Sequence, residues 1–178
     1  MSKHVALLRG VNLGGRRIKM DELRAAFEAA GYQQVKTLLA SGNVVFKSRK
    51  VEADAIEGML KDAFSIDVPV ILRSAEEIAA LVAADPFAKL PQEKDTKTHI
   101  SFLAAPTQPK SIQVPYASAD GNLRILALTP GYLAAAVKLT ATSGTLDLMD
   151  LLGKEFGDGV TTRTWNTVLK IHKALQGD

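Results

Sequence analysis

A glycine-rich turn flanked by arginines is the part of the sequence best suited to chemistry. The apolar run Val5–Leu8 breaks into Arg9-Gly10-Val11-Asn12-Leu13-Gly14-Gly15, and Arg16 and Arg17 follow. Glycines let backbone amides approach a phosphate closely, and arginines supply positive charge. The spacing matches neither a P-loop nor a dinucleotide-binding fingerprint. The same residues also suit a purely structural turn, because glycine and asparagine tolerate positive φ.

Two other segments share this mix of small, polar and cationic residues. Ser41-Gly42-Asn43 links two apolar runs, and Arg163-Thr164-Trp165-Asn166-Thr167 opens an amphipathic stretch. Thr164 can cap a helix, and Trp165 could stack on a base or another ring. The structural alternatives are a plain hairpin turn for the first segment and, for the second, a core tryptophan beside an asparagine that ties backbone groups.

We expect the three segments to converge in one pocket that favours anions, because each lies where backbone amides are free. A hydrogen-bond network that ties two halves of the chain together predicts the same convergence. The candidate ligand-binding residues are Arg9, Asn12, Gly14, Gly15, Arg16, Arg17, Ser41, Gly42, Asn43, Arg163, Trp165 and Asn166.

Other site chemistries find little support in the sequence. It has no cysteine, and His4, His99 and His172 are scattered singly. No metal-ligand spacing is present, and no Ser-His-Asp arrangement can be nominated. The sequence therefore predicts no metal and no cofactor, and it leaves open whether the protein is an enzyme.

Charge is distributed unevenly along the 178 residues, whose net charge is +3. Residues 1–50 carry ten Lys and Arg against three Asp and Glu, whereas residues 51–178 carry twelve against sixteen. This asymmetry indicates either an anionic partner for the N-terminal part or a merely solvated basic surface. We expect Arg16 and Arg17 to be exposed. The predicted positive patch consists of Arg9, Arg16, Arg17, Lys19 and Arg24.

Periodicity and turn signals predict an α+β fold of two tandem ferredoxin-like (βαββαβ) halves, with antiparallel sheets packed by helices. Predicted strands cover residues 3–9, 34–39, 43–48, 68–73, 99–104, 124–129, 132–139 and 160–163. Predicted helices cover residues 20–30, 52–64, 75–85, 146–156 and 164–176, with a short helix or irregular segment at 110–116. We expect a capping box between Ser74 and Glu77, and Pro69 indicates an edge strand or a strand start.

The predicted organisation is an N-terminal half at 1–84, a linker at 85–97 and a C-terminal half at 98–178. Val5–Leu8 and Ile125–Leu128 are apolar at successive positions, so we expect both faces of the sheets to be buried. No segment has the length of a membrane span, and the N-terminus shows no signal-peptide pattern. The expected location is the cytoplasm, without a membrane partner.

The motifs together resemble the domain-of-unknown-function 1697 family of uncharacterised bacterial proteins. Leu8–Gly15, Ser41–Phe46 and Thr162–Val168 are similar to that family's opening block, second block and C-terminal signature. Ala40 and Thr164 stand where family members usually have Gln and Asn. The resemblance implies a fold of paired ferredoxin-like units and implies no known activity.

Three functions compete on these observations. The favoured one is a binding module for an anionic ligand, a nucleotide or nucleic acid, although no strand carries the aromatic pattern of an RNA-recognition motif. The second is an enzyme acting on a small phosphorylated or carboxylated substrate. The third is a protein-interaction module, for example a homodimer formed through an apolar sheet face.

Overall fold

The structure, a computed structural model, describes residues 1–11, 15, 17–39, 42–105 and 108–177. The fold is mixed α+β, and the described residues form two antiparallel sheets and five helices. The chain groups into two compact units, residues 1–83 with 169–178, and residues 84–168. No helix within the described residues is both long enough and apolar enough to cross a lipid bilayer.

The first unit contains a four-stranded sheet in the order β2-β3-β1-β4, with every neighbouring pair antiparallel. Its elements are β1 (Ser2–Leu8), α1 (Met20–Ala29), β2 (Gln33–Leu38), β3 (Asn43–Ser48), α2 (Ala53–Phe64), β4 (Val70–Ser74) and α3 (Ala75–Ala84). The predicted order of strand, helix, strand, strand, helix and strand is therefore present here. Pro69 immediately precedes β4, which is an edge strand, as the missing N–H of proline requires.

The second unit contains a five-stranded sheet in the order β6-β7-β8-β5-β9, again antiparallel throughout. Its elements are β5 (Thr96–Leu103), β6 (Tyr116–Ala117), β7 (Leu123–Leu128), β8 (Tyr132–Lys138), α4 (Thr145–Phe156) and β9 (Val160–Thr164). The last helix, α5 (Trp165–Gln176), begins in this unit and ends in the first.

The second unit departs from the predicted order between β5 and β7. Residues 108–122 form the two-residue strand β6 and no helix. The amides of Lys110, Ser111 and Ile112 donate to the Glu155 carboxylate instead of to helical carbonyl groups. Pro109 and Pro115 also lack the N–H that a helix interior needs. These two causes explain why residues 110–116, predicted as a short helix or an irregular segment, form no helix.

Local capping explains where α3 and α5 begin. Ser74 and Glu77 form the predicted capping box, with the Glu77 amide donating to Ser74 Oγ at 3.1 Å and the Ser74 amide to Glu77 Oε2 at 2.7 Å. Thr164 caps α5 in the predicted manner, accepting from the Thr167 amide at 3.3 Å. Both helices therefore start directly at the end of an edge strand.

Each unit has its own apolar core. In the first unit, Leu23, Phe27, Phe46, Ile56 and Leu60 pack between the sheet and the helices α1 and α2. In the second, the core contains residues of β7, β8 and α4, among them Ile125, Leu133 and Leu152. All four residues of Val5–Leu8 are buried, and their side chains point alternately to the two faces of the sheet. Both faces of β1 are thus covered, as the apolar run predicts. The same prediction is wrong for Ile125–Leu128, where only Ile125 is buried and the other three residues are half-buried.

Candidate functional site

The two glycine-containing turns of the first unit lie side by side. The Leu8 amide donates to the Gly42 carbonyl oxygen at 2.8 Å, and Leu7 lies opposite Asn43 across β1 and β3. The Arg9 amide donates to the Pro69 carbonyl oxygen at 3.0 Å, which fixes the exit of β1. The loop after β1 and the link before β3 therefore share one end of the sheet, because the two strands are antiparallel.

Gly42 is required by the close approach of these turns. Its φ of +76° lies in the left-handed region, and a Cβ built there would lie 2.9 Å from Leu8 Cβ and 3.1 Å from Val11 Cγ2. Any larger residue would push the link before β3 away from the loop after β1. Gly10 and Gly15 also have positive φ, +70° and +83°, with open space around them. These glycines have the turn conformations that the sequence predicts.

Leu39, just after β2, and Asn43, the first residue of β3, flank the link between these strands and have features that the sequence alone does not reveal. Asn43 is fully buried, and its Nδ2 donates to the Leu38 carbonyl oxygen at 3.0 Å, so its amide braces the link. Leu39 has a φ of +58°, in the left-handed region, and 45% of its surface is exposed. A bulky residue in this conformation is strained, and such strain is concentrated at functional sites. An apolar residue at a polar turn is the only sequence signal for Leu39.

The described cations of the predicted positive patch have three different environments. Arg17 and Lys19 are exposed, and neither forms an ion pair with another described residue. Arg24 lies 3.5 Å from Asp21 and 4.0 Å from Glu28, so local acidic residues offset its charge. Arg9 is half-buried at the turn. The predicted site residues Asn12, Gly14, Arg16 and Ser41 lie outside the described residues.

The third predicted segment belongs to the second unit. Arg163 is only 7% exposed, and its Nη1 donates to Thr161 Oγ1 at 2.8 Å and to the Thr162 carbonyl oxygen at 2.9 Å. Burial lowers the pKa of the Arg163 guanidinium to about 10. Trp165 is half-buried and Asn166 is exposed at the start of α5. The convergence of this segment with the turns of the first unit stays a prediction.

The two units repeat one arrangement of a histidine, a hydroxyl residue and an arginine on neighbouring strands. His4 of β1 lies opposite Ser74 of β4, and His99 of β5 lies opposite Thr164 of β9. The residue before each of these hydroxyl residues is an arginine whose Nη1 donates to the preceding carbonyl oxygen, at 2.7 Å for Arg73 and 2.9 Å for Arg163. The dipeptides Arg73-Ser74 and Arg163-Thr164 are the available signal, too short to detect without the strand register.

Both histidines in this arrangement have a lowered pKa, which favours the neutral imidazole. Burial lowers the pKa of His4, against a smaller opposing effect of Glu76 and Glu77. Burial also lowers the pKa of His99, and the charge of Lys97 adds to that effect. Nε2 of His99 is buried without a hydrogen-bond partner among the described residues. In the part of the chain that the structure describes, no group of His, Asp or Glu could hold a metal ion.

Comparison with known proteins gives a family and a shared fold. The family model described as "Protein of unknown function (DUF1697)" matches residues 1–126. A solved structure of the conserved bacterial protein SP0830 from Streptococcus pneumoniae superposes with a TM-score of 0.64 and 19% sequence identity. The match covers 98% of this chain and 99% of that one, and at this identity it shows likeness of fold alone. No curated protein matches the sequence.

Proposed function

We propose that this chain, which belongs to the family of proteins of unknown function DUF1697, is a binding module for an anionic ligand, a nucleotide or nucleic acid. The ligand binds at the loop after β1 and the link before β3. The observation that carries the proposal is the hydrogen bond from the Leu8 amide to the Gly42 carbonyl, because it holds two glycine turns together beside exposed cations.

Charge and backbone conformation support this choice of ligand. Arg17 and Lys19 are exposed, and neither forms an ion pair with a described carboxylate. Gly10 and Gly15 have positive φ, a conformation in which successive amides can form a concave anion site. Arginine and lysine next to such amides bind phosphate through charge-assisted hydrogen bonds.

The predicted site residues divide by role in this proposal. Arg9, Arg16 and Arg17 supply charge. Asn12, Gly14, Gly15, Ser41 and Gly42 supply amides or polar side chains. Asn43 positions the link from its buried place rather than contacting ligand, since its amide is bonded to Leu38. Arg163 takes a similar supporting role in the second unit, where Trp165 and Asn166 lie at the start of α5.

We also propose that the units are two ferredoxin-like halves of a duplicated fold. The order β2-β3-β1-β4 supports this for the first unit, and β7-β8-β5-β9 gives the equivalent order in the second once β6 is set aside. The repeated pairs His4 with Ser74 and His99 with Thr164 support the duplication. The cytoplasm remains the location that the sequence predicts.

Binding of a labelled single-stranded oligonucleotide, measured by fluorescence anisotropy over a range of salt concentrations, tests the function. Phosphate contacts predict that log affinity falls linearly with log salt, with a slope of roughly −0.7 per phosphate contacted. Arg17→Ala and Lys19→Ala should each weaken binding and make the slope shallower. Arg24→Ala is the matched control, because Asp21 and Glu28 already offset its charge.

Two results would contradict the proposal. One is binding that does not depend on salt, and the other is an Arg24→Ala effect as large as that of Arg17→Ala. Absence of oligonucleotide binding together with self-association in analytical ultracentrifugation would instead favour the homodimer alternative.

A further inference from the structure

A cleft of about 570 Å³ opens in the second unit, between the turn that follows α3, the start of β5 and the start of α5. Its volume falls within the range of roughly 300–1,000 Å³ that small-molecule sites occupy. The residues that line the cleft lie between 85 and 166, and all of them belong to the second unit.

One wall of the cleft is aromatic. The rings of Phe87 and Trp165 meet edge to face, with centroids 5.3 Å apart and planes at 72°. Phe87 is only 8% exposed, and its amide donates to Asp85 Oδ1 at 3.3 Å, which fixes it in its turn. Trp165 is half-buried and lines the cleft. Phe87 thus supports one side of the indole, while the rest of the indole remains available for stacking.

Polar groups complete the lining. Asn166, Thr98 and Lys94 all border the cleft, and they offer an amide, a hydroxyl and an ammonium group. Lys94 is exposed and forms no ion pair with any residue that the structure describes. Most ligand sites combine an apolar surface with a few such groups that fix orientation.

The acidic residues at the rim are already engaged. Glu93 accepts from Thr96 Oγ1 at 3.2 Å and lies 3.7 Å from the ammonium group of Lys138. The carboxylate of Asp85 accepts the Phe87 amide. Lys94 is the cationic group of the lining, and its ammonium is the group there that can pair with an anionic part of a ligand.

We propose that this cleft binds a planar nitrogen heterocycle that carries an anionic group, the chemistry of a nucleoside monophosphate. The ring stacks on Trp165, and its hydrogen-bonding edge meets the amide of Asn166 and the hydroxyl of Thr98. The anionic group meets Lys94. Stacking on an aromatic side chain accepts any base, whereas the amide and hydroxyl choose among hydrogen-bonding edges.

Trp165 is the only tryptophan of the chain, so its fluorescence reports directly on the cleft. The intact protein is titrated with AMP, GMP, CMP and UMP, and in parallel with adenosine and inorganic phosphate. At least one nucleotide should quench the fluorescence, adenosine should quench it more weakly than AMP if adenine is the base chosen, and phosphate alone should not.

Variants then assign the contacts. Asn166→Ala should raise the Kd of the bound nucleotide about three- to tenfold, the effect of losing one hydrogen bond. Lys94→Ala should weaken binding of the nucleotide and leave binding of the corresponding nucleoside unchanged. Lys154→Ala is the control, because it removes an exposed cation of the same unit that lies outside the cleft.

Three outcomes would overturn the inference. They are no quenching by any of the four nucleotides, unchanged affinity in both Asn166→Ala and Lys94→Ala, and quenching that Arg17→Ala abolishes. The last result would indicate that the nucleotide binds at the loops of the first unit and not in the cleft. If no nucleotide quenches the fluorescence but the protein still binds the oligonucleotide in a salt-dependent manner, nucleotide binding in the cleft is refuted. The proposed function then still stands.

Discussion

The backbone amide of Leu8 lies 2.8 Å from the carbonyl oxygen of Gly42, and this hydrogen bond joins the end of β1 to the link before β3. The link also rests on the side chain of Leu8, because a Cβ at Gly42 would lie only 2.9 Å from Leu8 Cβ. The proposed anion site is therefore built on a backbone contact that tolerates no side chain, and its geometry depends on Gly42.

Gly42→Ala should lower the free energy of unfolding by about 2–4 kcal/mol, because the positive φ and the overlap with Leu8 both cost energy. Gly31→Ala is the matched control. Gly31 has a φ of +91°, and a Cβ added there would meet no atom within 4 Å, so only the conformational cost of about 1–2 kcal/mol applies. Urea unfolding of both variants gives the comparison. Equal losses would show that the approach to Leu8 does not matter.

Glu155 should stabilise the second unit in a pH-dependent manner. It accepts from the Ser111 hydroxyl at 2.6 Å and from the Ser111 amide at 2.7 Å. These bonds, chiefly the one from the hydroxyl, hold the pKa of the Glu155 carboxyl below its ordinary value of 4.5. Since the folded pKa is the lower one, the stabilisation is fully present above pH 4.5 and is lost as the pH falls through the folded value.

Glu155→Gln should consequently unfold at a lower urea concentration than the unmodified chain at neutral pH. The two midpoints should approach each other as the pH is lowered below 4.5. Glu22→Gln, an exchange at an exposed position of α1, serves as the control and should leave the midpoint unchanged. A gap between the Glu155 variant and the parent that stays constant with pH would contradict this account.

His99 should make the protein less stable in mild acid. Burial, with a smaller contribution from Lys97, lowers the folded pKa of His99 below the ordinary 6.5. The unfolded chain then binds a proton at His99 before the folded chain does, so stability is complete above pH 6.5 and declines as the pH falls toward the folded value. His99→Gln should flatten part of this decline in urea midpoints measured between neutral and mildly acidic pH. If the urea midpoint of the His99 variant changes with pH as steeply as that of the parent, His99 does not cause the decline.

The sequence predicts most elements because each carries a local signal. Helix α1 begins at Met20 as predicted, and β3 spans Asn43–Ser48 as predicted, since apolar periodicity and turn residues mark both. The predicted start of β5 is too late, because Thr96, Lys97 and Thr98 resemble a polar linker until their pairing with β8 is known. Pairing across the sheet is a nonlocal contact that composition does not encode.

In the candidate site, too, some features follow from local sequence signals and others depend on nonlocal contacts. The positive φ of Gly10 and the closeness of the turns after β1 and before β3 follow from turn chemistry and strand order. The burial of Arg163 and the contact between Phe87 and Trp165 depend on tertiary packing. Phe87 lies in the stretch between the predicted halves, where a polar composition conceals it. Its role emerges only from the cleft that it lines.

Arg163 provides the last prediction, since it separates a structural role from a ligand-binding one. It is buried and donates to Thr161 Oγ1 and to the Thr162 carbonyl oxygen. Arg163→Ala should lower the free energy of unfolding by about 1–3 kcal/mol, the cost of breaking a buried polar network. Thr161→Val should cost less, about 1 kcal/mol, because it removes a single acceptor and keeps the guanidinium in place.

Oligonucleotide affinity, expressed per folded molecule, completes this test. If Arg163 only supports the edge strand β9, Arg163→Ala should bind as tightly as the parent at temperatures where both are folded, and its salt slope should be unchanged. If Arg163 contacts phosphate, the affinity and the slope should both fall while the urea midpoint stays the same. That second pattern would contradict the supporting role and would place Arg163 with Arg17 in the anion site.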